Sequence, residues 1–215
     1  AGTYRDSLER AAYHPLIVEK NSIRIALLNY TYGTNGLTVP YPREINRIDT
    51  LRMKQELERA ALAHPDMVIV CIHWGLEYQR NENEQQRRLA RFMLNHGADA
   101  VIGSHPHVVQ PVKYFGVASD SIRFVPVVFS LGNFVSNQRA QYKDGGIVAE
   151  LNIRKVGDAV MLDSIGYLPY WVWREDDASS GKSTFRVLPI SRYESDPESY
   201  NLTPSDIYRL NRFAA

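Results

Sequence analysis

A single cysteine, Cys71, rules out an intrachain disulfide and any multi-thiolate zinc site. It lies inside an apolar run, where a small buried hydrophobe is expected rather than a nucleophile. No apolar run approaches the ~18 residues of a membrane span, and the opening Ala1-Gly2-Thr3-Tyr4-Arg5 has no signal-peptide character. Any targeting segment is therefore expected outside this chain. Charge of one sign is also lacking: Lys and Arg nearly balance Asp and Glu, for a formal net charge of +1. A nucleic-acid partner, which calls for a basic excess on one face, is not expected. Nucleotide loops of the Gly-x-x-x-x-Gly-Lys and Gly-x-Gly-x-x-Gly kinds are missing, as is a Gly-x-Ser-x-Gly nucleophile elbow.

What is present is an ordinary apolar fraction of 44% over 215 residues, enough for one substantial domain or one domain with a small appendage. Residues 23–30 read as a strand. Asp49 caps a helix running to about Ala63, with Leu51, Leu57 and Ala61 on its expected buried side. A strand over 67–72 follows, then a helix over about 83–96 with Leu89, Phe92 and Met93 inward and Gly97 as its C′ residue. A strand over 98–102 completes a β-α-β-α-β order, which predicts neighbouring parallel strands. Beyond His107 the pattern turns to successive strands (108–114, 124–130, 146–153 and 160–167), an antiparallel or mixed sheet. Residues 169–182 read as a surface loop, 185–190 as a last strand, and Thr203-Pro204 as the cap of a short terminal helix. The expected division is 1–168 for the main domain and 169–215 for a packed extension.

Two strand ends concentrate the chemistry. The first runs into His73-Trp74-Gly75-Leu76-Glu77, the second into Gly103-Ser104-His105-Pro106-His107. Loops after the C-termini of strands in an α/β sheet are where ligands bind, so both groups are expected at one edge. His105 and His107, two apart, can point the same way, with Pro106 stiffening the link. Alone, the pair is equally well read as two loop histidines. His73 in the equivalent place, and Glu77 as acid, base or orienter of an imidazole, strengthen a metal or phosphate site. Trp74 offers an aromatic wall to substrate, and Ser104 with Gly103 offers backbone N–H groups to an anion. In Ser130-Leu131-Gly132-Asn133-Phe134, Asn133 is either a substrate contact or simply a turn residue. His14, His64 and His96 are given no role.

These three motifs, in this order, resemble the CapA family of capsule-synthesis proteins, also called poly-γ-glutamate capsule biosynthesis proteins. The likeness runs over about residues 1–153. That family is similar to the calcineurin-like metallophosphoesterases, so it implies an α/β sandwich with α/β/β/α layers and a metal site at the sheet edge. By resemblance, His73, His105 and His107 are metal ligands for Zn, Mn or Fe. From the residues themselves, Glu77 and His73 are the expected catalytic groups, and Asn133, Trp74 and Ser104 the expected substrate contacts. The implied substrate is a phosphoester or an anionic capsular polymer, and the implied location is the bacterial cell envelope. A non-catalytic component that binds or exports such a polymer is the alternative.

The family's early Gly-Asp, Asn-Leu-Glu and Asn-Asn-His segments have no counterpart here. The sandwich is thus expected to be incomplete at its N-terminal part, and the metal site incomplete with it. A dinuclear centre needs bridging carboxylate oxygen, which three imidazoles do not supply, although they suffice for one zinc-like ion. The missing N-terminal segment is accordingly expected as a partner of this chain.

Overall fold

The computed structural model describes residues 2–117, 120–177 and 179–214. The first part contains β1 (Thr3–Tyr4), α1 (Ser7–Tyr13), β2 (Leu16–Lys20), β3 (Ile23–Thr31), β4 (Glu44–Ile45), α2 (Thr50–Leu62), β5 (Met67–His73), α3 (Glu84–Asn95) and β6 (Ala100–Ser104). The second contains β7 (Val109–Val117), β8 (Asp120–Leu131), β9 (Gly145–Val156), β10 (Ala159–Asp177), β11 (Lys182–Pro189), α4 (Ile190–Ser195) and α5 (Pro204–Ala214).

The main sheet has six strands in the order β2-β3-β5-β6-β8-β7. Its inner strands β3, β5, β6 and β8 run parallel, with β2 and β7 antiparallel at the edges. The α/β class and the mixed second half are therefore as expected. The parallel register sets Thr31 beside His73 and His73 beside Ser104, so the two histidine-bearing strand ends share one edge. Ala26, Leu28 and Tyr30 alternate into a core with Val68, Val70 and Ile72, against Met53, Leu57 and Ala60 of α2 and Leu89, Ala90 and Met93 of α3. On the opposite face Ile25, Leu27 and Cys71 remain half-buried, so this chain alone does not fully cover strands β3 and β5.

Both crossover helices start on side-chain caps. Asp49 accepts the Arg52 N–H at 3.0 Å, and Asn83 with Gln86 forms a reciprocal capping box. At the end of α3, Gly97 takes φ +102°, a backbone few side chains tolerate, and turns the chain into β6. That turn uses Ala98 and Asp99 as well, so the strand expected at 98–102 lies at Ala100–Ser104. The phase of α2 also differs from expectation. Leu51 is 69% exposed and Ala61 is exposed, while Met53, Glu56, Leu57 and Ala60 face inward. Spacings of three and four from Met53 define that face better than those from Leu51.

The second sheet, β11-β10-β9, is antiparallel throughout. The surface loop expected over 169–182 is here two paired strands: β10 runs to Asp177 and β11 begins at Lys182, with Ala178 outside the described residues. The run Tyr170-Trp171-Val172-Trp173 is the physical reason. Three aromatic rings hide several hundred Å² of apolar surface, roughly 150–250 Å² each, and a solvated loop offers nowhere to put it. Trp171 and Trp173 pack with Leu188, Ile190 and Leu210, which anchors α4 and α5. Residue 169 lies within β10, so one strand runs across the 168/169 division. No helix among the described residues is long and apolar enough to cross a membrane.

A buried polar knot ties α1 to α2 and β3. The Glu56 carboxylate accepts from Tyr30 Oη at 2.8 Å, pairs with His14 Nε2 at 2.9 Å, and also receives Arg10 and Arg52. His14, given no role by the sequence, is 2% exposed and holds this knot together. Burial alone pushes Glu56 up. The hydrogen bonds from His14 and Tyr30 and the charges of His14 and Arg10 outweigh it and hold the carboxyl at about 2.

Candidate metal centre

The edge of the main sheet is assembled by close packing beneath it. Gly103 has no side chain, so the Trp74 indole passes directly over β6, stacks on Phe129 and donates its N–H to the Phe129 carbonyl at 2.9 Å. Trp74 is therefore a buried wedge, 1% exposed, rather than an open wall. Its backbone N–H reaches the Ser104 carbonyl at 3.0 Å, and the Tyr78 N–H reaches the Pro106 carbonyl at 2.7 Å. The loop after β5 is thus stitched to the loop after β6, which carries Glu77 to the histidines. A buried amide pair holds the far side: Gln86 donates to Gln110 at 2.8 Å, and Gln110 donates to the Gln79 carbonyl at 2.7 Å.

Glu77, His105 and His107 converge, with one ligand atom from each lying within 4.8 Å of the others. Glu77 Oε1 stands 3.9 Å from His107 Nε2. His73 is beside the group, its ring 4.6 Å from that of His105. Both loop histidines sit on left-handed backbone, at φ +104° for His105 and +59° for His107. Such values for a non-glycine residue concentrate at functional sites.

The hydrogen bonds assign the ring protons. Thr31 Oγ1 donates to the Gly33 carbonyl at 2.9 Å, so the 3.2 Å contact with His73 Nδ1 places a proton on that nitrogen and leaves Nε2 a lone pair. His107 Nδ1 donates to Asn133 Oδ1 at 2.7 Å, which likewise leaves its Nε2 open toward Glu77. Burial first, then the neighbouring imidazoles, lower the pKa of His73. Burial also lowers that of His105, aided by His107 and opposed by Glu77. Both rings are thereby kept neutral at neutral pH, the form that ligates a metal.

The chemistry of the donor set fits one divalent cation. Two imidazole nitrogens and a carboxylate oxygen at this spacing are of the kind drawn in by an ion with bonds of about 2.0–2.2 Å. With a single carboxylate in the group, a bridged pair of ions has no second anionic bridge here. The structure brings Glu77, His105 and His107 into that group, sets His73 next to it, and leaves Ser104 at the strand end opposite His73. Asn133 stands behind His107. Its amide nitrogen donates to the Lys143 carbonyl at 2.8 Å and to Gln138 at 3.2 Å, while its Oδ1 orients the imidazole.

Sequence reasoning missed Tyr32, whose ring lies 5.5 Å from His73 and 4.5 Å from His105. Its place after β3 at the same edge was a usable signal. A cleft of about 560 Å³ lined by Tyr32, Trp74, Gly75, Glu77 and His105 opens onto the group.

The comparisons follow the same residues. A profile described as bacterial capsule synthesis protein PGA_cap matches residues 1–138, which span the strand-end histidines and Asn133. The chain is 36% identical over 137 residues to the PGA biosynthesis protein CapA of Bacillus subtilis strain 168, covering 64% of this chain and 28% of that protein. It is 32% identical over 147 residues to the capsule biosynthesis protein CapA of Bacillus anthracis, covering 66% of this chain and 34% of that one. The chain therefore spans about a third of the length of these relatives. Among solved structures, the NAD nucleotidase NadN of Haemophilus influenzae matches all of this chain and 39% of its own, at TM-score 0.51 and 9% identity, a likeness of fold alone. The calcineurin-like phosphoesterase YfkN of Bacillus subtilis matches 98% of this chain and 59% of its own, at TM-score 0.44 and 15% identity. With well over half of its length matched, the histidine-bearing strand ends included, the chain belongs to the bacterial capsule synthesis protein family PGA_cap.

Proposed function

We propose that this chain carries part of a metal-dependent hydrolase site acting on an ester or amide of an anionic capsular polymer or on a phosphoester. The convergence of Glu77, His105 and His107 at the strand ends, beside an open cleft, is the observation that carries this reading. A divalent ion (Zn, Mn or Fe) held by these three would supply a Lewis acid. His73, neutral and with Nε2 free, adds a fourth donor or receives a proton from the reacting group. Glu77 combines ligation with proton transfer, Asn133 fixes the His107 ring, and the Tyr32 side of the cleft receives substrate, with Ser104 at the neighbouring strand end. Trp74 holds that side in place from below. The half-covered face of β3 and β5 and the single carboxylate support a segment outside this chain that completes both sheet and site. A place in the cell envelope accords with the capsule relatives.

Elemental analysis of the full-length protein, after reconstitution with zinc, manganese and iron, tests the reading. Near-stoichiometric metal is expected in the wild type and its loss in His105→Ala. Metal retained in that variant removes His105 from the site. No metal in either protein transfers the reading to a polymer-binding component without catalysis.

A further inference from the structure

The loop between β8 and β9 closes on itself around one buried aspartate. At its start, Asn133 is held twice by the far end: its backbone N–H donates to the Gly145 carbonyl at 3.1 Å, and its side-chain amide to the Lys143 carbonyl at 2.8 Å. Asp144 lies between those two acceptors and is 1% exposed. It is held twice in turn by β10. Its carbonyl accepts the Val172 N–H at 2.8 Å, and its Oδ2 accepts the Trp171 indole N–H at 3.0 Å. Two glycines permit the contact. A Cβ on Gly145 would meet the Tyr170 carbonyl oxygen at 2.4 Å, and one on Gly146 would meet that of Leu131 at 2.5 Å.

Trp171 is a firm anchor for such a tether. It is fully buried, packed among Leu188, Ile190 and Leu210. Arg139, from the middle of the same loop, donates through Nη1 to the Val172 carbonyl at 2.6 Å and lies 5.3 Å from the Trp171 ring centroid. Hydrogen bonds to a carboxylate are roughly twice as strong as those between neutral groups. Asp144 Oδ1 is buried without a partner among the described residues, so the Trp171 bond is the side chain's one tether there. Removing it leaves a buried carboxyl with nothing to hold it.

The other end of this arrangement is the imidazole. Asn133 Oδ1 accepts from His107 Nδ1 at 2.7 Å, so Asn133 can orient the ring only as well as Lys143 and Gly145 orient Asn133. Those two residues flank Asp144 directly. Asp144 and Trp171 both lie beyond residue 138, where the match to the family profile ends. What fixes the ring thus extends into the second sheet.

We propose that Asp144, tethered by Trp171, is a positioning residue for His107: it holds Lys143 and Gly145 where they clamp Asn133, and Asn133 sets the ring facing the candidate ion. The purpose of this positioning rests on the proposed metal site, while the state of the ring is measurable without metal or turnover.

The test is nitrogen NMR of the histidine rings in the metal-free full-length protein above neutral pH, with zinc affinity measured by calorimetry on the same samples. The wild-type His107 ring is expected as the Nδ1–H tautomer, its signals identified by their loss in His107→Gln. Asp144→Ala and Trp171→Phe should each let the ring exchange between tautomers and weaken zinc binding by about tenfold, as losing the support of a ligating imidazole does. Asp144→Asn keeps an oxygen for the indole N–H and should stay within about threefold of wild type. Because one bond is at stake, Asp144→Ala combined with Trp171→Phe should bind zinc no more than about twofold worse than either alone. Leu210→Ala is the stability control: it opens the Trp171 cluster outside this path, and should lower Tm while zinc affinity stays within about twofold. A wild-type ring in the Nε2–H tautomer, an unchanged ring in Asp144→Ala, additive losses in the double variant, or an equal zinc loss in Leu210→Ala overturns the positioning role. Failure of Asp144→Asn to recover overturns the hydrogen bond as its basis. Ring exchange in Asp144→Ala of a protein that takes up no zinc removes the proposed metal site and leaves the positioning role standing. Equal zinc affinity in wild type and Asp144→Ala does the reverse.

Discussion

Gly103→Ala is expected to destabilise the protein by about 3–5 kcal/mol, adding overpacking to a buried hydrogen bond broken beneath the site. A Cβ at this position would meet Phe129 O at 2.1 Å, Trp74 Nε1 at 2.5 Å and the Phe129 carbonyl carbon at 2.7 Å. Two of these atoms are backbone of β8, which is locked to β6 through the Val101–Val127 and Ile102–Val128 register. The strand cannot retreat without losing that pairing. If Trp74 moves instead, its N–H and the Phe129 carbonyl are both left buried and unpaired, and the loop carrying Glu77 moves with it. For a chain of this length each kcal/mol corresponds to about 2–4 °C in Tm, so a fall of roughly 10 °C is expected by circular dichroism. Gly116→Ala is the matched control, since the nearest atom to its added Cβ lies 4.0 Å away. Near-identical melting of the two variants would refute the close approach of Trp74 to β6.

Glu56→Gln has the second largest expected effect, about 3 kcal/mol at neutral pH. The carboxylate is the common partner of Arg10, His14, Tyr30 and Arg52, and the amide that replaces it cannot accept from all four or balance a buried guanidinium. The same carboxyl predicts an acid transition. Its folded-state value of about 2 lies below the ordinary glutamate value of about 4.5, so its stabilisation is complete above that higher value and is lost as pH falls toward 2. Up to about 3 kcal/mol should disappear over this window. Urea denaturation at pH 7, 4.5 and 3 resolves it: the wild type should weaken steadily, and Glu56→Gln should start lower and change less. Parallel curves for the two proteins would show that the knot does not respond to Glu56 ionisation.

Local periodicity carried the reading as far as it operates. The β-α-β-α-β order, the Asp49 cap and the Gly97 turn all depend on residues a few positions apart, and each stands where the sequence placed it. The strand ends at His73 and Ser104 were legible for the same reason. Pro169 to Lys182 was not, because its polar flanks resemble a loop and only pairing with β9 and β11 shows where the aromatic run is buried. The phase of α2 turns on Glu56, a charged residue whose burial depends on partners 26 to 46 positions away. Asp144 and Trp171 gave no signal, since they meet only where β10 returns beside β9. His105, Glu77 and His107 could be nominated from the chain, but their closer association relative to His73 is a matter of loop trajectory.

The backbone beneath His105 has a further consequence. At φ +104° it occupies ground that glycine holds freely and a side chain holds only under strain. Alanine and glycine both delete the imidazole, so the difference between them isolates the backbone. His105→Gly should be more stable than His105→Ala by about 1 kcal/mol, the reverse of their usual order in ordered structure. The position suits a residue with no side chain and yet presents a ring. A lineage drifting under selection for folding alone would be drawn to glycine there, and the persistence of histidine against that pull would mark the loop as kept for its chemistry.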